Sequence, residues 1–168
     1  MDAICKQVVE PNLKVSLNGI STIMEIYEPL RLIVENNLGI ICNSVFATLS
    51  SNKPEAREAA EKCVSMLLGG TDVQLIMQYL CHGILYALPR SRVYLLQRLE
   101  GTLEDIYDRK RQLLFKSVFP VLNKLMEEYK TELMPYVITV FDKLYELMGN
   151  LMFNHLTKFK EVRDLIQR

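Results

Sequence analysis

Four cysteines, two histidines and a few adjacent carboxylates are the residues of this sequence best suited to chemistry. A catalytic thiol needs a base beside it, and a structural metal needs three or four ligands at workable spacing. Cys5, Cys42, Cys63 and Cys81 form no C-x-x-C pair, and each lies in an apolar helical context. They read as reduced core cysteines of a cytosolic protein. His82 follows Cys81 within an apolar stretch and reads as a core or boundary histidine; His155, in "LMFNHLTKF", reads as a surface residue. Glu104–Asp105 and Glu127–Glu128 sit beside basic residues, the pattern of solvated helix faces. Neither phosphate-binding glycine motif, G-x-x-x-x-G-K-[ST] or G-x-G-x-x-G, is present, and no Gly-x-Ser-x-Gly elbow occurs. We therefore expect a protein that is not an enzyme and that takes no cofactor and no metal.

Charge and hydropathy narrow the partners. The chain has 168 residues, with 20 basic and 20 acidic side chains. A neutral total gives no global pull toward nucleic acid or an anionic membrane. The densest basic stretch, "YDRKRQ" at 107–112, is offset by Glu100, Glu104, Asp105 and Asp108, so nucleic acid is not expected. No charged-then-apolar leader and no apolar run of about 18 residues is present, so membrane insertion is not expected and a soluble intracellular protein is.

Any working surface must then be held by the elements. Leu38, Ile41, Val45 and Leu49 fall on one helical stripe, as do Val137, Val140, Phe141, Leu144 and Met148. No period-2 strand is evident, and Gly (7) and Pro (6) are few. The spacing predicts an all-α chain, with helices at about 2–10, 13–28, 31–49, 54–68, 73–86, 90–107, 110–128, 132–148 and 152–167. Pro54 and Pro89 suit a first helical turn, where a missing N–H costs nothing. Gly69–Gly70 and Gly149 suit left-handed helix ends, and Thr71, Asp72 and Thr131 suit caps. Pro120 should kink the helix that contains it.

The breaks recur. Aligning "NLKVSLNGI" (12–20) with "NKPEAREAA" (52–60) superposes Val15 on Ala56 and Gly19 on Ala60, an offset of 41 residues. Turn spacing stays near 40 from Lys53 to Arg90 and from Arg90 to Lys130. Two helices per period of this length predict a HEAT-type helical-repeat solenoid. We expect one domain over 1–168, with hairpins at about 2–28, 31–68, 73–107 and 110–148 and a closing helix at 152–167. Small residues at Gly19, Ala56, Ala59 and Ala60 should let helices approach closely.

Each turn within a hairpin, with the helix start after it, supplies a cation: Lys14 beside Asn12, Lys53 and Arg57 beside Asn52, Arg90 and Arg92, and Lys130. Stacked in register, these would make one basic edge on a neutral chain, suited to an acidic protein. The alternative is association through the last helix, where Met152, Phe153 and Phe159 would form an apolar patch for homodimerisation or docking while Leu151, Leu156 and Val162 fill the core.

"SNKPEAREAAEKC" resembles the turn and second helix of TOG domains, the HEAT-repeat modules of microtubule regulators. There a valine–arginine pair is followed by alanine; here Ala56 takes the valine's place, and Arg57 and Ala60 match. "NLKVSLNGI" keeps Val15 but has Ser16 for the arginine and Gly19 for the alanine. The tail "VFDKLYELMGNLMFNHLTKFKEVRDLIQR" (140–168) is similar to the end of TOG-like domains in CLIP-associated proteins and in ciliary TOG-array proteins. The resemblance implies a tubulin-binding module, or one for another microtubule regulator, working through Lys14, Lys53, Arg57, Arg90, Arg92 and Lys130. It implies a cytoplasmic, cytoskeletal setting at microtubules, centrosome or cilium. The chain departs from that family in having room for about four repeats rather than six, and in having no tryptophan for the first turn. Divergent members without these features serve as docking or dimerisation modules, the role in which the apolar end would act.

Overall fold

Polar caps, prolines and one asparagine cut the chain into short helices. The structure, a computed structural model, describes residues 1–128 and 132–166. Its α-helices are α1 (Asp2–Val8), α2 (Leu13–Tyr27), α3 (Arg31–Asn36), α4 (Leu38–Thr48), α5 (Pro54–Gly70), α6 (Val73–Tyr86), α7 (Pro89–Arg109), α8 (Phe119–Glu128), α9 (Met134–Met148) and α10 (Phe159–Ile166). A π-helical turn, Leu114–Val118, precedes α8, and a 3₁₀ helix, Gly149–His155, follows α9. No strand occurs among the described residues.

The helix starts follow local chemistry. The Asn12 side chain accepts from the amides of Lys14 (3.0 Å) and Val15 (3.4 Å), and Asp72 accepts from the amide of Gln74 (2.8 Å). Each satisfies an amide that a helix N-terminus leaves unpaired. Pro54 begins α5 as expected. Gly149 has φ +59°, a conformation that side chains with a Cβ seldom adopt.

Several boundaries differ from expectation, each for a visible reason. The helix expected over 31–49 breaks at Asn37, whose side-chain amide donates to the carbonyl of Ile33 (2.7 Å) and so competes with the helical ladder. Gly69 and Gly70 do not end α5 in a left-handed turn; both are helical. Gly70 is small because the Tyr27 hydroxyl lies where its Cβ would be, at 2.6 Å. That hydroxyl also shares a hydrogen bond with Thr71 Oγ1 (3.1 Å). The kink expected at Pro120 is preceded by the π turn, in which Phe119 N–H reaches back to the Leu114 carbonyl. The closing helix expected over 152–167 is instead the 3₁₀ helix followed by α10. The expected cap Thr131 lies outside the described residues.

The chain forms two compact units, residues 1–91 and 92–168. In the first, α1 packs on α2 and α4, α2 on α5, and α4 on both α5 and α6. The predicted stripe Leu38, Ile41, Val45 and Leu49 is buried there. Ala56 and Ala60 are buried in α5, and a Cβ on Gly19 would stand 2.8 Å from the Val8 amide nitrogen. Small residues thus sit at helix–helix contacts, as expected. In the second unit α9 packs on the 3₁₀ helix and α10, and Val137, Val140, Phe141 and Leu144 are buried. All four cysteines are buried thiols.

Candidate protein-binding edge

In residues 1–91 hydrogen bonds tie the turn at 49–53 to the turn at 9–12 and to the start of α7, which follows the turn at 87–88. The Lys53 ammonium donates to the Pro11 carbonyl. Arg57 Nη1 (2.7 Å) and Arg90 Nη1 (3.4 Å) donate to the same acceptor, the carbonyl oxygen of Ser51. The Ser50 hydroxyl accepts from the Ser91 amide (3.1 Å) and meets Ser91 Oγ at 2.7 Å, and Ser91 Oγ donates to the Phe46 carbonyl (2.5 Å). Apart from Arg57, six residues from Ser51, the partners lie 39 to 45 residues apart in sequence, and residues at helix starts supply the donors. Pro54 and Pro89 fix the chain direction at those starts, so the first turns of α5 and α7 present their side chains to residues 50 and 51.

The charge of these turns and helix starts is positive on balance, Lys14, Lys53, Arg57 and Arg90 standing against Glu10 and Glu55. Among the described residues none of Lys14, Lys53, Arg57 and Arg90 pairs with a carboxylate. Two guanidinium groups meeting at one neutral oxygen retain their full charge, and the positive end of the α5 dipole adds to it. Lys14, Asn52, Lys53 and Arg90 are exposed, Arg57 is half-buried, and Asn12 is exposed but held as the cap of α2.

Arg92 does not belong to this edge. It is 4% exposed, and its Nη2 lies 3.5 Å from Glu128 Oε2. It shares the inward face of α7 with the buried Leu95, Leu96 and Leu99, while Arg90 points outward. Lys130 lies outside the described residues.

The apolar alternative also changes. Met152 is fully buried, whereas Leu151, expected in the core, is 65% exposed. A 3₁₀ helix turns by three residues rather than 3.6, so the inward positions shift from those an α-helix would give. Phe153 is half-buried with its ring 5.9 Å from that of Tyr145, and the side chain of Phe159 lies outside the described residues. Leu156 and Val162 are buried as expected.

One feature of the edge is not visible in the sequence. A cleft of about 430 Å³ opens between the end of α1, the start of α2 and the α4–α5 turn. Val9, Leu13, Ala47, Ala56 and Leu88 line it, with Lys53 at its rim. Val9 and Leu88 are more than half exposed. Their only signal in the sequence is their position, since each is an apolar residue at a helix end next to a turn.

His82, expected in the core or at its boundary, lies at the surface, and so does His155, as expected. His82 is exposed against the Tyr86 ring (4.8 Å), and His155 is exposed against the Phe115 ring (4.5 Å). Among the described residues no group of three or more His, Cys, Asp or Glu could hold a metal ion, and no helix is long and apolar enough to cross a membrane. No protein-family model and no curated protein sequence matches the chain.

Proposed function

We propose that this chain is a HEAT-type, TOG-like helical-repeat module without catalytic activity, which binds an acidic protein surface through the turns within its hairpins. Tubulin or another microtubule regulator is the partner that the sequence resemblance favours, in the cytoplasm at microtubules, centrosome or cilium. One observation carries the reading: the 49–53 turn is bonded to the 9–12 turn and to the start of α7, and the cations there have no carboxylate partner among the described residues. Main-chain carbonyls hold Lys53, Arg57 and Arg90 in place, so their charge is positioned without being neutralised. This suits recognition of carboxylates, for which guanidinium geometry is well matched.

The test is co-elution of the chain with tubulin dimer on size exclusion. The parent protein should co-elute at low salt and progressively less as salt rises, because exposed charges are screened beyond about 10 Å at 0.1 M. Lys53→Glu with Arg90→Glu should abolish co-elution while the helical circular-dichroism signal stays unchanged. Failure of the parent protein to bind at low salt, or binding that survives both reversal and salt, contradicts the proposal.

A further inference from the structure

Beside the cations lies a hollow with apolar walls, and the pairing of the two restricts what can occupy it. The cleft of about 430 Å³ is larger than one aromatic side chain, and Val9, Leu13, Ala47, Ala56 and Leu88 supply its apolar surface. The hydroxyls of Ser16, Thr48 and Ser50 in its lining already donate elsewhere. Ser16 Oγ donates to the Val8 carbonyl (2.6 Å), Thr48 Oγ1 to the Val8 (3.3 Å) and Ser44 (3.0 Å) carbonyls, and Ser50 belongs to the Ser91 network. A polar ligand would find these groups occupied, whereas an apolar one loses nothing by covering them.

The rim adds charge. Lys53 and Glu10 are the ionisable residues lining the cleft, and Arg57 and Arg90 converge on Ser51, itself part of the lining. The lining itself is balanced, Lys53 against Glu10, and the excess of positive charge comes from Arg57 and Arg90 beside it, set against Glu55. A second hollow of about 250 Å³ adjoins through Ala47 and Leu88 and carries Tyr86 and His82, so the apolar path extends beyond one side chain.

We propose that the cleft is an anchor site for a short acidic segment of a partner protein. One large apolar side chain of that segment enters between Val9, Ala47 and Leu88, and carboxylates flanking it meet Lys53, Arg57 and Arg90. This rests on the turn-edge reading and adds a discrete hot spot to it. A buried side chain in a desolvated pocket ringed by polar contacts is how binding energy concentrates at protein interfaces.

The full chain is titrated by nuclear magnetic resonance with three synthetic peptides, Glu-Glu-Phe-Glu-Glu, Glu-Glu-Ala-Glu-Glu and Ser-Ser-Phe-Ser-Ser. The acidic phenylalanine peptide should bind about tenfold more tightly than the alanine peptide, the ratio expected for burying one aromatic side chain. It should shift the methyl resonances of Val9, Ala47 and Leu88, and the serine peptide should bind more weakly than it. Ala47→Trp fills the cleft from an exposed position and should remove the phenylalanine advantage. Equal binding of the two acidic peptides, or an advantage that persists in Ala47→Trp, overturns the anchor while leaving the charged edge standing. Equal binding of the serine and acidic phenylalanine peptides overturns the charge requirement. If no acidic peptide binds and tubulin does not co-elute, the edge itself fails. If the chain self-associates and Ala47→Trp makes it monomeric, a second copy fills the cleft and the proposal is overturned.

Discussion

At the residue scale, glycines that look alike in sequence should respond oppositely to substitution. Replacing a helix-interior glycine with alanine normally stabilises by about 1 kcal/mol. Gly101 has nothing within 4 Å of a built Cβ, so Gly101→Ala should raise the melting temperature. At Gly19 the new Cβ would meet the Val8 amide nitrogen at 2.8 Å and Gln7 Cβ at 3.0 Å, and backbone cannot move aside cheaply. Overpacking of about 1–3 kcal/mol then exceeds the propensity gain, so Gly19→Ala should lower the melting temperature. Ala60→Leu should destabilise by a similar amount, since Ala60 is fully buried. The cysteines give a pH prediction. Burial pushes the Cys42, Cys63 and Cys81 thiols up to about 12 from an ordinary value of 9.0. The unfolded chain therefore releases protons before the folded one does. The stability these groups contribute is fully present below pH 9.0 and is lost as pH rises toward about 12. Denaturant midpoints should fall across that interval, and fall less steeply in Cys42→Ala/Cys63→Ala.

At the element scale, caps and clasps hold the short helices. Asp72→Ala should cost about 1 kcal/mol, read as a lower urea midpoint with an unchanged slope. Asn123 of α8 has a larger structural role than its exposure suggests. Its Nδ2 donates to the His155 carbonyl (3.0 Å), and its Oδ1 accepts from the Thr157 amide (3.0 Å) and hydroxyl (3.3 Å). Lys158 Nζ adds a bond to the Met126 carbonyl (3.1 Å). Asn123→Ala should therefore release the segment after the 3₁₀ helix, seen as faster hydrogen exchange at the Thr157 amide, while exchange in α2 and α5 is unchanged.

At the scale of the whole molecule, what distinguishes a binding edge from ordinary surface polarity is the arrangement of cations from separate turns. If the edge acts as a unit, replacing Arg57 and Arg90 by Ala should not be additive in its effect on partner affinity, because both guanidinium groups donate to the Ser51 carbonyl. Lys14→Glu should weaken tubulin binding with no change in stability, since its side chain takes part in no tie between turns. A double-mutant cycle by titration at fixed salt checks the coupling; strictly additive losses would show that the cations act singly.

The sequence by itself determined the helical class and most helix starts, because these depend on interactions within a few residues. Asn12 and Asp72 cap helices through amides two or three positions on, and a 3.6-residue stripe selects the buried face of α4 and α9 wherever the partner helix lies. The tertiary structure decided what local periodicity leaves open. Arg92 and Arg90 lie two residues apart in one basic segment, yet one is buried against Glu128 and the other is exposed at the Ser51 carbonyl. Met152 and Leu151 exchange inside and outside because the segment winds as a 3₁₀ helix. The cleft beside Lys53 exists only because the ends of α1 and α6 and the α4–α5 turn, distant in sequence, leave a space between them. A pattern along one element fixes which residues face inward, whereas a cavity and a shared acceptor are properties of several elements meeting, and no single stretch of the chain contains them.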